Sequence, residues 1–254
     1  MDASDALQAL FRWIHIVAGI LWIGLLYFFN FVNGPFAATM DGPTKQKVVP
    51  ELMPRALYWF RWGAAWTWVT GVLLVLLVFY HGREVFPGVR GFTLPDIVMI
   101  LVTFLAFAVY DPLWKSGLAK DARVGAAVSY VLVVVVVLLY IHWAGFSYRG
   151  YVIHTGALFG TLMAANVWMR IWPLQRRIIT AVKEGAAPDP SWAPLAGLRS
   201  RHNVYMSVPL VWTMINSHTT TPFASSPMYL FVVILVGWGA VYLLYKKAPK
   251  VPGF

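Results

Sequence analysis

The chain has no cysteine. That excludes disulfides, thiolate metal sites and the CxxCH attachment of a c-type haem. Charge is scarce too, at 12% of residues against the roughly 25% usual in soluble domains. Carboxylates are the rarer sign, with 10 Asp and Glu against 20 Lys and Arg. No repeat or low-complexity tract is visible, and no pair of broken helices marks a secondary transporter. The last apolar span has no interior lysine, since Lys246 and Lys247 lie beyond it, so a retinal Schiff base is excluded.

What is present is apolar. Hydrophobic residues make up 59% of the 254, and 13 are tryptophan. Seven runs reach or approach the about 20 residues that cross a bilayer. They are 8–33, 56–81, 94–114, 122–145, 150–172, 202–218 and 227–245. The expected fold is therefore all-α, a polytopic membrane helix bundle forming one integral membrane domain over 1–254. Thr93 is placed to cap the third span with Pro95 in its first turn. The stretch RRIITAVK reads as a short surface helix before the turn PDPSWAP. Met1 to Leu10 is acidic and runs straight into a full-length span, so no cleavable leader is expected.

The net charge of +10 is explained by topology rather than by nucleic acid, because the basic residues lie between apolar spans. Arg12, Arg83, Arg90 and Arg149 fall on one side of the span map, and every other Lys and Arg falls on the other. The positive-inside rule then puts the N-terminus outside and the C-terminus in the cytoplasm.

On that map His15, His81, His142, His154 and His218 lie toward the outer side and His202 toward the inner. A titratable ring inside a membrane is costly unless partnered, so His15, His142 and His154, flanked by apolar turns, are candidate functional residues. The few residues between spans four and five make those helices antiparallel neighbours, which brings His142 and His154 to similar depth. Neutral imidazoles facing one another across helices suit bis-histidine ligation of haem b, with Gly19 and Gly145 making room for the macrocycle. Imidazole nitrogen would equally hold copper, zinc or non-haem iron. Histidines that only bond across helices are the remaining reading. Asp96 is the one carboxylate near that depth, which weakens a facial-triad iron site.

Other features have plainer expectations. Gly156, Gly160 and Ala164 form a small-residue packing face, and Asn166 and Asn216 act as interhelical glue. Trp59, Trp62 and Trp66 form an interfacial stripe. Asp111 pairs with Lys115, His81 ends a helix at water, and Arg201 snorkels beside His202 and Asn203.

Four blocks taken in order, WIHIVAGILWIGLLYFFNFVN, AVYDPLWKS, IHTGALFGTLMAANVWMRIWPLQRR and SRHNVYMSVPLVWTMINSH, resemble the membrane domain of the bacterial cytochrome-c-linked urate oxidases, the membrane urate hydroxylases. The resemblance implies a helical domain that takes electrons from urate, forms 5-hydroxyisourate and passes the electrons to a cytochrome c on the outer side. Carried over by motif, the family-like histidines are His15, His154 and His218, with His142 beside them. The family's C-terminal cytochrome c domain has no counterpart in these 254 residues. The expectation is accordingly a membrane oxidoreductase with haem b on His15, His142, His154 and His218 and a separate cytochrome c as acceptor. The alternative is a non-catalytic subunit of a larger respiratory or photosynthetic electron-transfer complex.

Overall fold

The computed structural model describes residues 3–88, 90–217 and 226–252. Its described elements are helical, and they make an all-α, multi-pass membrane bundle. In chain order they are α1 (Ala3–Tyr27), α2 (Gly34–Thr39), α3 (Gly42–Leu74), α4 (Leu94–Leu105), α5 (Phe107–Leu113), α6 (Ala122–His142), α7 (Tyr148–Asn166), α8 (Trp172–Lys183), α9 (Trp192–Asn216) and α10 (Pro227–Lys247). Three π-helical stretches join or prolong them, at Phe28–Asn33, Val75–His81 and Val167–Ile171.

Among the described residues five continuous helices are long and apolar enough to cross a membrane: Ala3–Thr39, Gly42–His81, Ala122–His142, Tyr148–Lys183 and Pro227–Lys250. The pair α4 and α5, bent by 48°, makes a sixth if it counts as one broken span. The stretch expected as a further crossing, 202–218, lies within α9 up to Asn216, and α9 is not among the five. Its apolar residues are interrupted by Arg199, Arg201, His202 and Asn203.

Local chemistry explains most helix ends. Thr93 and Asp96 close a capping box at the start of α4, with Pro95 in the first turn, as the sequence predicts. Asp121 caps α6 through the Arg123 amide. Pro50 and Pro54 behave otherwise. Both lie inside α3, so the helix begins at Gly42 rather than after Pro54. A proline is a frequent helix boundary and not an obligatory one.

The described residues form two compact units. The first comprises 71–162 and 209–236, with the chain's opening residues as far as Gln8. Its core is built on α7. Gly156 lets α7 approach α9, since a Cβ there would collide with Thr213 Oγ1 and lie 2.7 Å from Met214 Cε. At Gly160 the corresponding neighbour is Leu210 Cδ1, at 3.5 Å. This is the small-residue packing expected of that face. Asp111 pairs with Lys115 at 2.6 Å, also as expected.

The second unit comprises 9–70, 163–208 and the chain from Gly237 onward. Gly63 brings α3 close to α1, where its Cβ would lie 3.3 Å from Trp22. Buried amides tie the rest: Asn166 Nδ2 donates to Asn203 Oδ1 at 2.9 Å, and Asn203 Nδ2 donates to the Met163 carbonyl at 3.0 Å. Asn30 Nδ2 donates to Ser200 Oγ at 2.8 Å and its Oδ1 accepts from the Tyr245 hydroxyl at 2.7 Å. Such bonds hold helices together where lipid offers no hydrophobic drive between them.

Candidate functional site

His154, on α7 in the first unit, is fully buried. Its Nδ1 lies 2.7 Å from the Gly150 carbonyl, four residues back on the same helix. A carbonyl only accepts, so Nδ1 carries the proton. In the neutral ring Nε2 is then an acceptor, and the Tyr80 hydroxyl, 2.6 Å away, donates to it. Tyr80 sits in the π-helical stretch Val75–His81 and is half-buried. Single-turn π segments often occur at functional sites, where they re-aim one side chain.

Aromatic rings enclose the pair. Phe146 stands 4.7 Å from the His154 ring centre, and Tyr80 and Tyr140 stand 5.6 Å away. Thr103 donates to the Met99 carbonyl at 2.7 Å, which spends its only proton. The Tyr140 hydroxyl therefore donates to Thr103 Oγ1, at 2.6 Å. On its other side the Tyr80 ring stacks on Phe92 at 5.6 Å. The arrangement is a neutral acid–base pair in an apolar cage, able to take a proton at Nε2 when the phenol gives up its own.

Phe86 and Phe92, which follow Tyr80 in the chain, pack against this cage. Arg90 forks onto Asp96 at 2.7 and 2.9 Å, donates to the Ala144 carbonyl at 2.6 Å and lies over the Phe86 ring at 3.9 Å. Asp96 is fully buried, and its hydrogen bonds raise the Arg90 guanidinium above its ordinary pKa. Ser147 donates from its hydroxyl to the Glu84 carbonyl and from its amide to that of Val85, both at 2.6 Å. Arg149 pairs with Glu84 at 2.8 Å.

The other expected histidines are placed differently. His142 ends α6 exposed, beside an open apolar groove formed with Val135, Leu138, Leu139 and Trp143. Gly145, expected to make room for a macrocycle, instead turns the chain from α6 into α7 with φ +65°. In the second unit His15 is half-buried, with Nδ1 donating to the Thr67 carbonyl at 2.9 Å and Thr70 Oγ1 at 3.3 Å. The space beside Gly19 is taken by Thr67, whose Cγ2 lies 3.8 Å from where a Cβ would stand. His81 is exposed at its helix end. His218 lies outside the described residues.

These positions correct the expectation of haem b or another metal on His15, His142, His154 and His218. Among the described residues no three His, Asp or Glu side chains gather as a metal site, and the chain has no cysteine to add. The donor chemistry gives the same result at the best-buried imidazole. In His154 Nδ1 carries the proton and the Nε2 lone pair accepts from Tyr80, so no lone pair is left for iron. Adjacency of α6 and α7 was legible in the short connection, but the rotation of His142 outward and His154 inward was not.

Sequence reasoning missed Tyr80, Tyr140, Phe146 and Thr103. The usable signal was weak: a tyrosine immediately before His81-Gly82 at a span end, where amphipathic rings are common anyway.

No curated protein and no solved structure gives a significant match to this chain. The family described as urate oxidase N-terminal matches residues 39–248, a stretch that contains Tyr80, Tyr140, Phe146 and His154 and leaves His15 outside. With most of its length matched in one continuous stretch, the chain belongs to the urate oxidase N-terminal family.

Proposed function

We propose that this chain is the membrane part of a urate-oxidising system of the bacterial inner membrane. Residues 1–254 act as one integral domain that crosses seven times, with its N-terminus outside and its C-terminus in the cytoplasm. It oxidises urate or a related purine, and the electrons leave for a separate c-type cytochrome on the outer side. Family membership over 39–248 carries the reading. Adding water to urate to give 5-hydroxyisourate releases two electrons and two protons. The electrons require two single-electron reductions of the cytochrome, and the protons require an acceptor.

The Tyr80–His154 pair accepts one of these protons, and the other leaves to water. Tyr80 accepts a proton from the substrate at its oxygen as it passes its own to Nε2 of His154, so the pair gains one proton, held as the His154 imidazolium, and no tyrosinate is formed. The 2.6 Å contact and the half-exposure of Tyr80 support this role.

The test is reduction of a soluble c-type cytochrome, followed optically, by membranes containing the chain and supplied with urate. Urate-dependent reduction is expected, with turnover reduced about 10²-fold by Tyr80→Phe, the low end of a general acid–base contribution. No urate-dependent reduction, together with stable co-purification of the chain in a larger electron-transfer complex, overturns the reading in favour of a non-catalytic subunit.

A further inference from the structure

The continuous helix Tyr148–Lys183 has 36 residues. At about 1.5 Å per residue it is far longer than the roughly 30 Å hydrocarbon core of a bilayer. Its last turns, in α8, therefore stand at headgroup depth or beyond. There α8 and the start of α9 enclose a cleft of about 470 Å³ whose lining includes Arg176, Arg177, Thr180 and Trp192. Arg177 faces the Trp192 ring at 5.8 Å. One turn before Arg176, the ring of Trp172 is covered by the guanidinium of Arg61 from α3, 3.9 Å away.

None of Arg61, Arg176 and Arg177 belongs to an ion pair among the described residues. Glu184, at the far end of the cleft, is the one carboxylate of its lining and forms no salt bridge with these arginines. The guanidinium groups of Arg176 and Arg177 on the cleft wall, beside Trp192, match the oxygens of a phosphate, which a guanidinium fork binds in bidentate fashion.

The surroundings decide which phosphate. Met169, on the membrane side of Pro173, is 57% exposed, and Trp168 beside it is 36% exposed. Going down the helix, the exposed surface at Trp168 and Met169 gives way to a stretch that carries Arg170, Trp172, Arg176 and Arg177. This is the order in which a lipid presents its chains and its headgroup, and tryptophan is enriched at that level. We propose that the cleft between α8 and α9 binds the phosphate headgroup of an anionic membrane lipid. The site is independent of the Tyr80–His154 pair and of the urate reading.

The experiment uses the full chain in mild detergent, titrated with phosphatidylglycerol or with phosphatidylcholine and read by native mass spectrometry. Phosphatidylglycerol is expected to stay bound at least tenfold more tightly than phosphatidylcholine. Arg176→Gln with Arg177→Gln removes that preference, whereas Lys246→Gln with Lys247→Gln keeps it. Arg177→Lys, which keeps the charge and loses the fork, gives an intermediate loss that does not depend on the double variant folding. Equal retention of both lipids overturns the proposal, as does an equal loss in the Lys246/Lys247 variant. Displacement of phosphatidylglycerol by millimolar inorganic phosphate assigns the cleft to a soluble anion and overturns the lipid assignment.

Discussion

His154 has no unsatisfied nitrogen, and that makes its bond to Tyr80 a sensitive one. Tyr80→Phe leaves Nε2 buried without a donor, at a cost of about 1–3 kcal/mol. The expected result is a lower apparent unfolding midpoint in detergent. Replacing both partners, Tyr80→Phe with His154→Leu, removes the orphan as well as the bond, so it should cost less than the sum of the single changes. A double-mutant cycle by thermal unfolding measures that difference; strict additivity would mean the 2.6 Å contact carries no coupling. At this scale the sequence was partly legible. A histidine flanked by apolar turns is conspicuous, so His154 could be singled out. Its partner could not be, because the bond joins residues 74 apart and depends on a π-helical turn that no periodicity announces.

At the level of elements, the connection 82–93 is held chiefly by Arg90 and the buried Asp96. Arg90→Ala removes charged hydrogen bonds whose typical net worth is about 1.5–3 kcal/mol. The lower part of that range is expected, since the Arg90 side chain is 32% exposed and solvent screens it. Faster hydrogen exchange in 82–93 with little change in α6 is the expected readout, and uniform protection throughout would show that the connection is held by its aromatic rings instead. The α7–α9 contact gives a sharper contrast. Gly156→Ala meets Thr213 and Met214 and should destabilise by about 1–3 kcal/mol as an overpacked site. Gly160→Ala meets a leucine methyl at ordinary contact distance and should be nearly neutral. Thermal unfolding of the two variants separates the cases. The glycine face was readable from its four-residue spacing, and so was the Thr93–Asp96 cap. The Arg90 fork was not, because an arginine in a loop is indistinguishable by sequence from one meeting water.

For the whole molecule, the hydropathy runs located the spans well, because each must bury its backbone polar groups internally and so must be helical. They were least decisive at α9, where apolar positions alternate with Arg199, Arg201, His202 and Asn203. Whether α9 crosses decides the topology. If α4 and α5 make one broken span and α9 also crosses, the crossings number seven and the termini lie on opposite sides. If α9 does not cross, six remain and both termini share a side. The distribution of Lys and Arg favours crossing, because it places the basic ends of α9 and α10 together in the cytoplasm. Since the chain has no cysteine, single substitutions Ser4→Cys, Ser191→Cys, Ser226→Cys and Lys250→Cys report without background. With a membrane-impermeant thiol reagent on intact spheroplasts, positions 4 and 226 should label at once, and 191 and 250 only after lysis. Labelling of 191 and 226 from the same side would show that α9 does not cross, and the orientation of α10 and of the C-terminus would then reverse.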